Sequence, residues 1–182
     1  ARVIAGDPGF ARVVEAAIRD VLVAPRDAEK LRADVIEMRG LIRQEKGTKD
    51  PWEIKQVDGG LVDVEFLAQY LMLRHAAENP DVLATGTIPA LTRLAAAEIL
   101  DADTAEILIP AMRLYQGLTQ ALRMASDGTF RPKEAPRGLI DLLVRIGELP
   151  DLAHLEAYLV ETEKTVLGVA ERLVGRARTK KG

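Results

Sequence analysis

The sequence predicts an all-α fold, an antiparallel bundle of about seven helices with one short orphan strand near 52–57. Three observations carry that expectation. Apolar residues make up 48% of the 182 positions but aromatic residues only 4%, so the core is built from Leu, Ile, Val and Ala, as in packed helices. Apolar positions recur at intervals of three and four along most of the chain. Asp, Pro and Gly stand at the joints between these periodic runs, where helices start and stop.

Taking the elements in order, Asp7-Pro8 is a capping residue followed by a proline tolerated in the first turn. Phe10, Val13, Val14, Ala17, Ile18, Val21 and Leu22 then form an amphipathic stripe that Pro25 stops. Asp27 caps a second helix, whose stripe of Leu31, Val35, Met38, Leu41 and Ile42 ends near Gln44. Residues 45–50 are polar and loop-like. Residues 52–57 alternate weakly and read as a strand, but no second strand exists to pair with it, which implies a sheet elsewhere.

The helix over 61–78 is apolar on nearly every side and belongs at the centre of the bundle. Asn79-Pro80 and a Thr-Gly-Thr turn precede a fourth helix over 88–100, with Pro89 in its first turn. Asp103 with Glu106 matches the start signal of a fifth, which runs to about 125 and which Pro110 should kink or shorten. Residues 126–135 are the longest loop, 136–146 a sixth helix, and 151–174 a seventh capped by Asp151. The remaining basic tail, 176–182, is expected to be disordered.

A net charge of −3 gives no strong pull toward nucleic acid or a membrane surface. The absence of cysteine excludes disulfides and thiolate metal sites, and suits a reducing cytoplasm. No apolar run reaches the roughly 18 residues of a membrane span. The chain opens mid-pattern at Ala1, which reads as a piece of something larger.

Chemistry gathers around Lys55, Gly59, Gly60, Asp63 and Glu65. A helix starting at Gly59-Gly60 would turn free N–H groups and a positive dipole end toward an anion, with Lys55 adding charge. The competing reading gives the glycines a tight turn and close packing, with Lys55 solvated or paired to Glu53. The lack of Gly-x-Gly-x-x-Gly or Gly-Lys-Ser/Thr favours the second. Asp63 and Glu65 lie two apart, about 200 degrees around a helix, and cannot chelate one ion together. Asp63 suits the first turn as a cap, whereas Glu65 must be paired or directed at a cleft. His75 and His154 have no helical partners for a metal or a triad, and Trp52 reads as a packing anchor.

The stretch from Trp52 to Phe66, with its Lys followed by Gly-Gly-hydrophobic-x-Asp-hydrophobic-Glu-Phe and continuing through 67–75, resembles the segment that follows a nucleotidyltransferase core in bacterial glutamine synthetase adenylyltransferases. The resemblance extends more loosely over most of the chain. It implies a non-catalytic helical domain beside an active cleft: residues 1–57 as trailing helices and strand of a nucleotidyltransferase unit, 58–175 as the bundle. It further implies a parent that uses ATP and magnesium to transfer AMP to, or remove it from, a tyrosine of glutamine synthetase under control of the PII protein. Lys55, Gly59, Gly60, Asp63 and Glu65 occupy the motif positions and are expected to face the nucleotide cleft.

The catalytic Gly-Ser and Asp-x-Asp signature of such cores does not occur. Asp101 and Asp103 have the spacing but follow Leu100 and open a helix, so they read as caps. No catalytic residue, metal ligand or cofactor is therefore assigned to the chain itself. The helical region of a PII uridylyltransferase, or a helical module that only binds a protein partner, are the alternatives.

Overall fold

The computed structural model describes residues 2–125 and 129–176, and these form seven α-helices joined by turns. They are α1 (Pro8–Val23), α2 (Ala28–Lys46), α3 (Leu61–His75), α4 (Thr87–Ala96), α5 (Ala102–Ala125), α6 (Arg137–Gly147) and α7 (Leu152–Leu173). The predicted aspartate caps hold three of the starts. Asp7 accepts from the N–H of Phe10 at 2.8 Å, Asp27 from that of Lys30 at 2.8 Å, and Asp151 from that of His154 at 2.9 Å, each satisfying one orphan donor of a first turn.

The apolar α3 is the hub: it packs on α2, α4, α5 and α7, burying Leu61, Val64, Leu67, Ala68, Tyr70 and Leu71. Helix α5 supplies the opposite half of the core with Leu108, Met112, Tyr115 and Leu118, and α7 adds Leu155, Leu159 and Val166. Helix α1 is different, for it buries none of its residues. Only Ala11, Val14, Ile18, Leu22 and Val23 of its apolar positions are half-covered, and Phe10, Val13 and Val21 are largely exposed.

Three expectations need correction. Residues 52–57 are not a strand: the N–H groups of Gln56 and Val57 both turn back to the Glu53 carbonyl, at 2.7 and 3.1 Å. What remains of pairing is one isolated bridge between Thr48 and Val57, so no missing sheet is required. Trp52 and Ile54 instead drop into the helical core. The start of α5 is capped by Asp101, whose carboxylate accepts from the Thr104 N–H at 2.8 Å and its hydroxyl at 2.7 Å, and Asp103 lies exposed within the first turn. Pro110 does not push the start of α5 later: the helix runs from Ala102 to Ala125 with the proline inside it. Pro110 and Glu106 are both exposed, so the carbonyl deprived of its partner faces water.

Helices α4 and α6 end alike. After α4 the N–H of Glu98 bonds to Ala95 O and that of Ile99 to Leu94 O, both at 3.0 Å. After α6 the same pair runs from Glu148 to Arg145 and from Leu149 to Val144, both at 3.2 Å. These are Schellman closures, which need a left-handed residue. That place is filled by Glu98 (φ 56) and Glu148 (φ 54) rather than glycine. The tail residues 177–182 and loop residues 126–128 lie outside the described structure.

Candidate functional site

The corner that joins residues 48–60 to α3 is built as a knot. Gly59, at φ +80, lies so close to α7 that a Cβ there would run into the Glu163 carbonyl oxygen, standing 2.7 Å from its carbon and 3.0 Å from Leu167 N. Only glycine meets both the positive φ and the contact. A Cβ on Gly60 would likewise run into the Ile54 carbonyl oxygen and lie 2.9 Å from that of Val57.

The amides of Gly59, Gly60 and Leu61 are spent internally. Gly59 N–H donates to Asp63 Oδ2 at 2.7 Å, Gly60 N–H to Val57 O at 2.9 Å and Leu61 N–H to Ile54 O at 2.8 Å. Both glycines are buried. An anion would have to break these bonds and displace α7, so the phosphate-cradle reading of Gly59-Gly60 is corrected in favour of turn and packing.

Asp63 is held in an ion pair at the wall of a small crevice. Its Oδ1 receives Arg39 Nε at 2.8 Å and an Arg39 terminal nitrogen at 2.7 Å, while Oδ2 holds Gly59. The two side chains are 13% and 5% exposed, so the charges neutralise one another in a place where neither would be stable alone. Outside it, Arg43 Nε meets Asp58 Oδ1 at 2.6 Å. On the far side of the knot, the Tyr115 hydroxyl donates to Gly59 O at 2.9 Å. Burial, followed by the nearby Glu163 and Asp63 charges, pushes that phenol well above its ordinary range and keeps it a donor. One turn thus ties α2, α3, α5 and α7 together.

Lys55 and Glu65 emerge from the knot on its open side. Both line a groove of about 720 Å³ between the turn, α3 and α5, whose further walls are Leu61, Gln116, Thr119, Gln120, Arg123 and Met124. Lys55 is exposed and Glu65 half-buried. Burial raises the Glu65 carboxyl above the usual range, and the Lys55 charge opposes this. Thr119 Oγ1 is buried at the groove wall without a hydrogen-bond partner. The structure thus brings Lys55 and Glu65 together in this groove, buries Gly59 and Gly60, and places Asp63 with Lys55 on a second, smaller crevice.

The α5 wall was missed by sequence reasoning, although its signal was present: Gln116, Thr119, Gln120 and Arg123 recur at helical spacing and form a polar stripe opposite the buried face. Arg39 and Glu163 had a comparable mark. Each interrupts an apolar stripe, Val35–Ile42 in one case and Leu155, Leu159, Val166 in the other, and a charge on a core face must be paired or neutral. Trp52 is the packing anchor expected: it is 6% exposed, edge-on to Phe130 at 4.7 Å, and its Nε1–H donates to Glu156 at 2.9 Å. His75 sits apart, lowered by burial and by Arg74. Among the described residues no three His, Asp or Glu side chains are placed to hold a metal ion, and no helix is long and apolar enough to cross a membrane.

Comparison with known proteins bears on the same residues. Residues 29–130 match the family model described as GlnD PII-uridylyltransferase. The chain is 45% identical over 175 residues to a bifunctional glutamine synthetase adenylyltransferase/adenylyl-removing enzyme of Rhodopseudomonas palustris (strain BisB5), an alignment covering 96% of this chain and 18% of that protein. Proteins of the same name from Xanthobacter autotrophicus and Rhizobium meliloti are 44% and 42% identical over 97% of the chain, again 18% of their own length. The chain therefore spans about a fifth of the relatives it matches. The family match runs from α2 through the knot and the groove to the end of α5 and beyond, over more than half of the chain, and by it the chain belongs to the GlnD PII-uridylyltransferase family.

Proposed function

We propose that the chain is the non-catalytic helical domain of a glutamine synthetase adenylyltransferase, supporting transfer or removal of AMP on glutamine synthetase in the control of nitrogen metabolism. The observation that carries this reading is the groove. Lys55 and Glu65, the motif residues left free by the knot, converge there with Gln116, Thr119 and Arg123 on a charged surface. The relatives' printed names supply the activity.

In this reading the groove faces the nucleotide cleft of an adjacent nucleotidyltransferase unit. Residues 1–57 trail from that unit, and the uncovered apolar side of α1 lies against it. ATP and magnesium belong to the adjacent unit, since the buried Gly59-Gly60 amides do not fit a phosphate and the carboxylate of Asp63 is already occupied by Arg39. Lys55 orients negative charge at the cleft mouth, and Glu65 holds Lys55 and its neighbours in position. Glutamine synthetase and the PII protein are partners of the whole enzyme, which works in the cytoplasm.

The test is substitution in the full-length enzyme. Lys55→Ala and Glu65→Gln are expected to lower AMP transfer to glutamine synthetase at least tenfold, while the melting temperature of the present chain moves by less than about 2 °C, since Lys55 is exposed and Glu65→Gln keeps the shape of a half-buried side chain. Activity unchanged in both variants would refute the placement of the groove. The isolated chain, incubated with glutamine synthetase, ATP and magnesium, should add no AMP mass.

A further inference from the structure

Glu163 lies in the middle of α7, 5% exposed, where the turn before α3 presses against that helix. Its Oε1 has no hydrogen-bond partner, an arrangement that a neutral acid tolerates far better than a carboxylate. The groups around it are unhelpful to a negative charge. The Asp50 charge acts on it from the turn, and the Tyr115 phenol of α5, whose own ionisation the Glu163 charge opposes, has its proton committed to Gly59 O. Arg39 of α2, the buried cation of the knot, is already bound to Asp63 of α3.

Asp50 is also the hinge of the turn. Its N–H donates to Thr48 Oγ1 at 3.1 Å, and its Oδ1 accepts the N–H of Trp52 at 3.0 Å. Trp52 in turn reaches α7 through Glu156. Lys55 follows on the same segment. A charge on Glu163 would therefore push on the residue that holds Trp52 in place.

We propose that Glu163 is a proton-operated clasp: as the neutral acid it lets the 48–60 turn seat on α7, and on losing its proton it repels Asp50 and loosens that seat. Burial, then the Asp50 charge, pushes its ionisation up to about 8, so the clasp opens just above neutrality. The consequence for Lys55 rests on the reading of the groove given above. The opening itself does not.

Trp52 is the single tryptophan of the chain and reports on the turn directly. Its emission is to be followed between pH 6 and 9.5. A one-proton transition centred near pH 8 is expected, absent in Glu163→Gln, moved to lower pH in Asp50→Asn, and retained in Glu156→Gln. As a second readout, amide exchange at Gly59, Gly60 and Leu61 in the native chain should accelerate across the transition beyond the intrinsic tenfold per pH unit. A flat wild-type titration, a transition that survives Glu163→Gln, one that Asp50→Asn leaves in place, or one that Glu156→Gln abolishes would each overturn the proposal. Because the signal arises inside the chain, failure of the groove reading in the full-length enzyme would leave it intact.

Discussion

Replacing Gly59 with alanine puts the knot to its sharpest test. At φ +80 a non-glycine residue costs about 1–2 kcal/mol. The new methyl would collide with the Glu163 carbonyl and crowd Leu167 N at 3.0 Å, and both of those atoms are backbone of α7. Relief by side-chain rotation is impossible, so overpacking adds roughly 1–3 kcal/mol. Displacing the residue would also strain two hydrogen bonds, from Tyr115 at 2.9 Å and to Asp63 at 2.7 Å, worth about 1 kcal/mol each. The sum is about 4–7 kcal/mol, which in a domain of this size lowers the melting temperature by roughly 10–25 °C. Thermal unfolding followed at 222 nm measures it. Gly138→Ala on α6, where an added Cβ meets nothing within 4 Å, is the control and should be neutral or slightly stabilising. A Gly59→Ala protein melting within about 2 °C of the parent would refute the packing account of this glycine.

Arg39→Met leaves Asp63 buried without its cation and should cost about 3–5 kcal/mol, read as a shift of the urea midpoint; a loss below 1 kcal/mol would contradict the buried pair. Pro110→Ala restores a hydrogen bond on the exposed side of α5 and should stabilise by up to about 3 kcal/mol; calorimetry showing no gain would mean that water already satisfies Glu106 completely. Stability should also fall with pH because of Glu163: its folded ionisation, about 8, lies above the ordinary 4.5, so its contribution is complete below the lower value and lost as pH rises through the upper. Across that window it supplies a slope of up to about 1.4 kcal/mol per pH unit, and denaturant titrations of Glu163→Gln should lack it.

The helices were legible because their signals are local. Asp7, Asp27 and Asp151 precede periodic stripes and each proves to be a cap, and the all-round apolar character of α3 correctly marked the hub. What escaped depends on distant parts of the chain. Residues 52–57 have the weak alternation of a strand, but Trp52 and Ile54 are drawn inward by Phe130 and by the bundle, contacts that no window of neighbours contains. The predicted fourth helix overran to 100 because its true end, at Glu98, has no glycine to announce the left-handed residue. At the site, the motif was visible but its division was not. Whether Asp63 stands free or ion-paired depends on Arg39, 24 positions away, and whether Gly59 bares its amide depends on how closely α7 approaches.

Glu98 and Glu148 leave slack in the molecule. An acidic side chain with a Cβ, set in a left-handed bend at the negative pole of a helix, is a poor occupant of that place by both conformation and charge. Natural selection has therefore left on the order of 1–2 kcal/mol unclaimed at each bend, a margin open to later drift or to an engineer seeking a tougher scaffold without touching the groove.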